Sequence, residues 1–317
     1  MKNCNRFKKL YWVITDRCNL GCRYCYYHSG LRDKNGQDAK IEDNSLLKKI
    51  ADHFQEVVLT GGEPLLYPHL NQVIAFLKRK GLKVAILTNG TLLNQKVFKS
   101  LVDLGLDELC VSLDSLDEEI NDYQRGQTNL ILQNLKNLLK KRPKFMAIEI
   151  MQTVTKRNLP SIIPLVNFSV RNNLGLWLDP VDISPQKRKT LANLSLLNLD
   201  NKERKLLEEA MKYWTEKFNK QKELASYADN CLSLIDKKRP KNIFCPMGTF
   251  NLVMEPNGDV YPCFLREDLP LGNLLRDNSE EIFKKAFKHQ KELQKAICAR
   301  LGCICMTMTN TEALFSK

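Results

Sequence analysis

The order of strands and helices is the feature that most constrains the fold of this chain. Six stretches rich in strand-forming residues alternate with helical patterns through about residue 180. Because parallel strands need crossover connections, which helices supply, this order predicts a parallel sheet with helices outside it. Periodicity alone does not separate an open partial barrel from a doubly wound sheet. The predicted strands are residues 10–15, 56–59, 83–87, 108–113, 147–152 and 174–178, and the predicted helices are residues 45–54, 70–80, 95–104, 130–140 and 159–172.

Three closely spaced cysteines follow the first predicted strand. Cys18, Cys22 and Cys25 form a C-x3-C-x2-C array. Thiolates are ligands of iron–sulfur clusters, and three from one loop leave one iron of a 4Fe-4S cluster without a protein ligand. That open iron can hold a substrate or a cofactor. The alternative is a zinc knuckle with His28 as the fourth ligand, which would leave the later motifs unexplained.

The array resembles the signature of radical S-adenosylmethionine (SAM) enzymes, in which the open iron chelates SAM. The resemblance implies an open six-stranded partial barrel, and it places Tyr24, just before the third cysteine, against the adenine of SAM. The turn Gly61-Gly62-Glu63-Pro64 follows the second predicted strand and is similar to the family's GGEP motif, whose role is to bind the SAM amino group. Paired glycines let backbone approach a ligand closely, and a carboxylate accepts hydrogen bonds from an ammonium group.

Polar residues also follow the third and fourth predicted strands. In a barrel of this kind the chemistry gathers at the carboxyl ends of the strands. The resemblance implies that hydroxyls here hold the SAM carboxylate and that a polar residue after the fourth strand reaches the ribose. For Arg125 a plain loop arginine is the alternative to a SAM contact. The candidate SAM contacts are Thr88, Asn89, Ser112, Asp114 and Arg125.

A segment near the C-terminus predicts a second metal site. Strand-like residues flank a Pro-Asn-Gly-Asp turn at residues 256–259, so a hairpin would bring Cys245 and Cys263 toward each other. The segment resembles the C-x(9-15)-G-x4-C element of SPASM and twitch extensions, whose hairpin cysteines ligate an auxiliary 4Fe-4S cluster completed by later cysteines. Here the later cysteines are Cys298, Cys303 and Cys305, and their spacing departs from both patterns.

Five cysteines cannot fully ligate two further cubane clusters. We therefore expect one auxiliary 4Fe-4S cluster, held by Cys245, Cys263 and two of the three terminal cysteines, with a zinc hairpin as the alternative. Cys231 lies just before this module. It is a candidate hydrogen-atom donor to a substrate radical, and a plain packed thiol is the alternative.

Length and composition limit the number and size of the domains that the chain can form. At 317 residues and 43% hydrophobic content, it is long enough for one large domain and a smaller one. We place a radical SAM partial barrel at residues 1–183, a helical bridge at 184–241, in which Asp200 caps a helix at 201–218, and a twitch/SPASM-like module at 242–317. No apolar run reaches membrane-spanning length and no signal peptide precedes the cysteines, so we expect a cytoplasmic protein without membrane association.

The net charge of +13 raises the question of an acidic partner. The basic runs at residues 78–80 and 140–142 precede strands and are expected at the end of the barrel opposite the active face, whereas those at 156–157 and 187–189 follow strands. No recognition helix or RNA-binding signature accompanies the charge. A non-catalytic metal protein that binds nucleic acid is therefore kept only as a third interpretation.

Together the motifs predict a radical SAM enzyme. The resemblance implies that one electron, from a donor such as flavodoxin or ferredoxin, leads to cleavage of SAM into a 5′-deoxyadenosyl radical, which abstracts hydrogen from the substrate. The predicted reaction is maturation of a ribosomally made peptide by crosslinking, oxidation or epimerisation. Because only seventeen residues precede Cys18, we expect any peptide-recognition protein to be separate. The alternative is a dehydrogenase or isomerase acting on a small molecule, such as an amino sugar or nucleoside.

Overall fold

A computed structural model describes residues 7–25, 36–41, 43–181, 191, 193–218, 223–236, 247–248, 250–264 and 268–288. The strands are β1 Phe7–Thr15, β2 Phe54–Gly61, β3 Lys83–Thr88, β4 Glu108–Ser112, β5 Ala147–Val154, β6 Gly175–Pro180, β7 Asn251–Met254, β8 Asp259–Tyr261 and β9 Gly272–Asn273. The α-helices are α1 Ser45–His53, α2 Leu70–Arg79, α3 Gln95–Asp103, α4 Glu118–Gln124, α5 Thr128–Leu139, α6 Ile162–Arg171, α7 Asn201–Lys217 and α8 Glu223–Ile235. Residues 279–288 are also helical.

Strand order confirms the predicted α/β architecture. Over the described ranges the strands form one sheet in the order β6-β5-β4-β3-β2-β1-β7-β8-β9. The six strands of the barrel are parallel to their neighbours, and α1 to α6 lie in the crossovers between them. The C-terminal hairpin joins the same sheet, because β7 pairs in parallel with β1 from Lys9↔Asn251 to Trp12↔Met254. The sequence predicted the hairpin but not its pairing with the barrel.

One face of the barrel strands packs against the surrounding helices. On β1 the alternate residues Leu10, Trp12 and Ile14 are fully buried and belong to the hydrophobic core, together with helix residues such as Leu47 and Val73. Burial of one such side chain contributes roughly 1.5–3 kcal/mol. Since side chains alternate between faces, the residues between them face the inside of the barrel.

The amino ends of the barrel strands carry alternating charges on this inner face. Lys9, Glu56, Lys83 and Glu108 each neighbour a core residue in sequence, so they point to the other side of the sheet. Lys9 Nζ lies 3.1 Å from Glu56 Oε1, and Lys83 Nζ lies 2.9 Å from Glu108 Oε2 and 3.8 Å from Glu56 Oε1. Opposite charges thus follow one another from β1 to β4 at the end of the barrel away from the cysteines.

Glu149 on β5 extends this row with a further carboxyl. The indole N–H of Trp177 donates a hydrogen bond to the Glu149 carboxylate. A Cβ at Gly175 would lie 2.8 Å from Glu149 Cγ, so the glycine leaves room for the carboxyl. Burial first, and then the negative charge of Glu108, raises the pKa of Glu149 to about 7.

Two helices of the bridge cover the edge strand of the sheet. The indole N–H of Trp214 on α7 donates to the carbonyl of Leu176 at 3.0 Å, and the Tyr227 hydroxyl on α8 donates to the carbonyl of Leu178 at 2.5 Å. Both carbonyls belong to β6, so these bonds satisfy groups that an open edge would expose. The predicted cap of α7 is confirmed, since Asp200 and Glu203 form a capping box.

Two local differences from the predicted elements have simple causes. The short helix α4 was not predicted, although Asp117 caps it and acidic residues fill its first turn. The predicted helix at 159–172 begins instead as a 3₁₀ turn, Lys156–Ser161, that contains Pro160 and continues as α6. In the part of the chain that the structure describes, no helix combines the length and apolar character needed to cross a membrane.

Replacing Glu149 with Gln is expected to stabilise the protein at about pH 8 and to have little effect near pH 5. The folded-state pKa of about 7 lies above the roughly 4.3 of an unfolded glutamate, so the folded state holds an extra proton between these values. Stability is therefore lost as the pH rises from about 4.3 to about 7, and Glu149→Gln avoids that loss, by roughly 1–3 kcal/mol between pH 5 and pH 8.

The measurement is the melting temperature of wild type and variant across this pH range. Glu119→Gln serves as the control, because that side chain is 89% exposed. A difference between wild type and Glu149→Gln that stays constant with pH would contradict the interpretation.

Candidate active site

The loop after β1 carries the three cysteines and is anchored at its start by Asp38. Arg17 Nη2 and Nε donate to the two oxygens of the Asp38 carboxylate at 2.6 and 3.1 Å. The Thr15 hydroxyl donates to the same carboxylate at 2.6 Å, and Arg17 also donates to the Leu66 carbonyl at 3.1 Å. A bidentate Arg–carboxylate pair of this kind fixes orientation as well as distance.

The three cysteines lie on this one loop, and a turn joins Cys22 to Cys25. Cys22 is buried, Cys18 and Cys25 are half-buried, and none forms a disulfide. The Cys25 N–H donates to the Cys22 carbonyl at 3.1 Å, and the Leu20 N–H approaches Cys18 Sγ at 3.4 Å. The donor chemistry of three thiols from one loop, with an amide donor on a sulfur, fits a 4Fe-4S cluster with one iron open to another ligand, although the described residues do not bring three such side chains into a closed metal-binding group.

The two glycines of the Gly-Gly-Glu-Pro turn bring β2 against the cysteine loop. The Gly62 N–H donates to the Thr15 carbonyl and the Glu63 N–H to the Arg17 carbonyl, both at 2.8 Å. A Cβ at Gly61 would lie 2.1 Å from the Thr15 oxygen, and one at Gly62 would lie 2.2 Å from the Arg17 oxygen. The sequence predicted a close approach to a ligand, and the structure shows a close approach to the cysteine loop itself.

Glu63 ties this turn to the end of β3. Its fully buried carboxylate accepts hydrogen bonds from the Thr88 hydroxyl at 2.7 Å, the Asn89 N–H at 2.7 Å and the Leu65 N–H at 3.1 Å. Burial raises the pKa of Glu63, while these bonds favour the charged form. The turn continues into a short 3₁₀ helix that starts at Pro64. The SAM contacts of Glu63 and Thr88 stay predictions.

Asn89 links the end of β3 to the cysteine loop. Its side-chain amide donates to Asn19 Oδ1 at 2.9 Å and lies 3.9 Å from Cys18 Sγ. Its carbonyl oxygen accepts from the Thr91 hydroxyl at 2.7 Å, and Asn19 donates back to that hydroxyl at 2.8 Å. These bonds hold the side of the loop around Cys18.

Asp114 and Tyr24 hold the other side of the loop. Asp114 lies two residues after β4 and is fully buried. Its carboxylate accepts hydrogen bonds from the Tyr24 hydroxyl and, at 2.9 Å, from the Thr153 N–H, and it forms an ion pair with Arg125 Nε at 3.2 Å. Ser112 at the end of β4 is half-buried. The predicted contacts of these residues with the adenine, ribose and carboxylate of SAM stay predictions.

Arg125 lies between Asp114 and the cysteine loop. Its guanidinium carbon lies 5.4 Å from the centre of the Tyr24 ring, and its Nη1 lies 4.0 Å from Cys22 Sγ. Burial raises the pKa of the Cys22 thiol to about 11, and the positive charge of Arg125 is the strongest effect in the opposite direction. The structure thus places a cation beside one of the three predicted cluster ligands.

Three residues that hold the loop were missed by the sequence analysis. Asp38 bonds to Thr15 and Arg17, and Asn19, within the loop, bonds to Asn89 and Thr91 after β3. The Gln124 side chain accepts a hydrogen bond from the Thr155 hydroxyl, and its Nε2 lies 3.4 Å from Asp114 Oδ2. The Gln124 backbone carbonyl accepts a hydrogen bond from the Arg23 N–H at 3.0 Å. None of these pairs has a characteristic spacing in sequence. A bond across twenty or a hundred residues gives no local signal.

The described part of the C-terminal module contains Cys263. The predicted hairpin is confirmed, because β7 and β8 are antiparallel and Gly258 in the turn has a φ of +86°. Cys263 follows β8 and is 2% exposed. The other predicted ligands of the auxiliary cluster, Cys245, Cys298, Cys303 and Cys305, lie outside the described residues, as do His28 and the basic run at 187–189.

Cys231 lies on α8 and is fully buried in the hydrophobic core. This environment is typical of a packed thiol. Its role as a hydrogen-atom donor stays a prediction. The basic residues after β5 face carboxylates, since Lys156 Nζ lies 2.9 Å from Glu203 Oε2 and Arg157 Nη2 lies 3.6 Å from Glu119 Oε1.

Comparison with known families identifies the two cysteine-bearing regions. The model of the radical SAM superfamily matches residues 12–164, which include the cysteine loop, the Gly-Gly-Glu-Pro turn and Asp114. The chain belongs to the radical SAM superfamily. The model of the SPASM iron–sulfur cluster-binding domain matches residues 245–304, so the C-terminal region is a SPASM domain.

Two curated relatives show how this enzyme compares along its length. It is 27% identical to the antilisterial bacteriocin subtilosin biosynthesis protein AlbA of Bacillus subtilis, over 92% of this chain and 62% of that protein. It is 26% identical to a probable GTP 3′,8-cyclase of Sulfurisphaera tokodaii, over 87% of this chain and 89% of that protein. The chain thus spans less than two thirds of the length of AlbA.

The solved structure of Streptococcus suis SuiB has a similar fold. With S-adenosylmethionine bound, its TM-score is 0.67 at 16% identity, and the match covers 95% of this chain and 72% of SuiB. With the precursor peptide SuiA bound, the TM-score is 0.67 at 18% identity, and the match covers 96% of this chain and 71% of SuiB. At 16% and 18% sequence identity, this similarity shows a shared fold and nothing further.

The two matched domains imply the cofactors of this chain. A radical SAM domain implies a 4Fe-4S cluster with SAM, and a SPASM domain implies auxiliary iron–sulfur clusters. Both predictions are confirmed at this level. The number of auxiliary clusters and the individual ligands stay predictions.

Replacing Gly62 with Ala is expected to remove most of the iron of the first cluster and to abolish cleavage of SAM. The new methyl group would lie 2.2 Å from the Arg17 carbonyl oxygen, so the cysteine loop has to move. Iron per chain and 5′-deoxyadenosine production measure the effect. Gly81→Ala is the control, because it imposes backbone strain at φ +79° with no atom within 4 Å. Equal iron loss in both variants would refute the steric account.

Proposed function

We propose that this radical SAM enzyme modifies a ribosomally made peptide by hydrogen abstraction, leaving a crosslink, an oxidised residue or an epimerised residue. The observation that carries the proposal is the 27% identity to AlbA, whose name assigns it to bacteriocin biosynthesis, over 92% of this chain. The fold shared with SuiB, which has been solved with its precursor peptide, supports it.

The residues around the cysteine loop would hold the cofactors as follows. Cys18, Cys22 and Cys25 ligate the first cluster, and the Gly-Gly-Glu turn meets the amino group of SAM. When bound, cluster and SAM together supply the radical that abstracts hydrogen from the substrate. The chain itself fixes the loop through the buried carboxylates of Glu63 and Asp114, and keeps water from the ligand side of Cys22, which is buried.

The SPASM domain would hold one auxiliary cluster. Its ligands are Cys245, Cys263 and two of Cys298, Cys303 and Cys305, and the family model ends at residue 304, just before the last of these. These cysteines would hold a cluster that could take up an electron from the substrate or anchor the substrate. A one-electron donor such as flavodoxin or ferredoxin, a separate peptide-recognition protein and a reducing compartment such as the cytoplasm complete the proposal.

A small-molecule reaction is the second candidate. The relative of Sulfurisphaera tokodaii is a probable GTP 3′,8-cyclase, and this chain covers 89% of it, compared with 62% of AlbA. The match in length favours a compact enzyme acting on a nucleoside or an amino sugar.

The first experiment pairs the enzyme with short peptides encoded beside its gene. Anaerobically reconstituted protein, SAM and a reductant are incubated with each peptide, and the peptides are examined by mass spectrometry. Loss of two hydrogen atoms, or slow exchange of one α-hydrogen with deuterated solvent, is expected for a peptide substrate. The Cys18→Ala variant should give neither product nor 5′-deoxyadenosine. Turnover of nucleosides or amino sugars without any peptide product would favour the second candidate.

Replacing Cys263 with Ala is expected to separate SAM cleavage from product formation. Iron should fall from about eight to about four per chain, 5′-deoxyadenosine should still form, and the modified substrate should be lost. Cys110→Ala is the matched control, since Cys110 and Cys263 are 3% and 2% exposed and only Cys263 is a predicted ligand. An unchanged iron content in Cys263→Ala would disprove its role as a ligand.

A further inference from the structure

Arg125 is a buried cation whose position is fixed by three contacts. Its side chain is 9% exposed, its Nε lies 3.2 Å from Asp114 Oδ2, its Nη1 lies 4.0 Å from Cys22 Sγ, and its guanidinium carbon lies 5.4 Å from the centre of the Tyr24 ring. Arginine stays protonated at any working pH and its planar group cannot turn away without breaking the ion pair. The positive charge beside Cys22 is therefore permanent.

The two charges of this ion pair contact different groups. Arg125 approaches the Cys22 sulfur directly through Nη1, while Asp114 meets the guanidinium at Nε. Asp114 also accepts hydrogen bonds from Thr153 on β5 and from Tyr24 in the cysteine loop, so part of its negative charge is offset by these donors. Because the interaction between charges weakens with distance and strengthens away from water, the cation dominates at the sulfur.

We propose that Arg125, held in place by Asp114, raises the reduction potential of the first iron–sulfur cluster. Reduction adds one electron to the cluster, and a fixed positive charge beside one of its sulfur ligands stabilises the reduced state. The electron comes from an external one-electron donor, and no proton or bond change at Arg125 is required. Arg125 thus acts on the cluster through its fixed positive charge beside Cys22, without itself binding iron. The sequence predicted it as a contact of SAM.

The test is a redox titration of reconstituted protein with dithionite in the absence of SAM, followed by electron paramagnetic resonance. The Cys18→Ala variant identifies the signal of the auxiliary cluster, so that the first cluster can be assigned. For Arg125→Met we expect the equilibrium constant of reduction to fall at least tenfold, which for a one-electron couple is a shift of about 59 mV to more negative potential.

Two further variants separate this charge effect from a loss of structure. Asp114→Asn removes the negative partner and should shift the potential in the opposite direction, to more positive values. Tyr24→Phe removes a hydrogen bond of Asp114 but no charge. The equilibrium constant for reduction of its first cluster should stay within about twofold of the wild-type value. If the substitutions merely loosened the loop, the reduction potentials of Arg125→Met and Asp114→Asn would shift in the same direction.

Shifts of opposite sign in Arg125→Met and Asp114→Asn support the proposal, and shifts of the same sign, or below about twofold, overturn it. If Arg125→Met does not retain its first cluster, Arg125→Lys takes its place, because a shorter side chain moves the charge away from Cys22 and should lower the potential in part. A wild-type potential in Arg125→Lys together with an unshifted Asp114→Asn overturns the proposal. The result does not depend on which substrate the enzyme uses.

Discussion

The contact between two glycines and the backbone of the cysteine loop is the constraint on which the rest of the site depends. Gly62 and Glu63 donate their amide protons to the carbonyls of Thr15 and Arg17, both at 2.8 Å, and any Cβ at Gly61 or Gly62 would overlap those carbonyls. The start of the loop is therefore fixed to the end of β2. The positions of the three cysteines therefore depend on this contact.

Two buried carboxylates extend this constraint to the other strands. Glu63 accepts hydrogen bonds from the end of β3, and Asp114 accepts them from the cysteine loop and from β5 and forms an ion pair with Arg125. A carboxylate removed from water is stable only when it is well hydrogen-bonded or paired, so each one holds its donors in place. Residues that the family resemblance marks as cofactor contacts thus also join the strand ends.

The cysteine loop and the SPASM hairpin are supported by the same strand. β1 hydrogen-bonds to β2 on one side and to β7 on the other, and the loop continues directly from β1. At the opposite end of β1, the Phe7 ring lies 5.7 Å from that of Phe54 and 5.1 Å from that of Phe283 in the C-terminal helix. The two cysteine-bearing regions, far apart in sequence, therefore share one sheet and one aromatic cluster.

The sequence by itself determined the features that depend on residues close together in the chain. The spacing of the cysteines, the Gly-Gly-Glu-Pro turn, the alternation of strands and helices and the cap at Asp200 each depend on neighbours within a few residues. Only the tertiary structure decided that Arg17 meets Asp38, that Arg125 lies beside Cys22 and that β7 pairs with β1. These contacts join residues 21 to about 240 positions apart, and they form only when packing brings the strand ends together, so no local pattern records them.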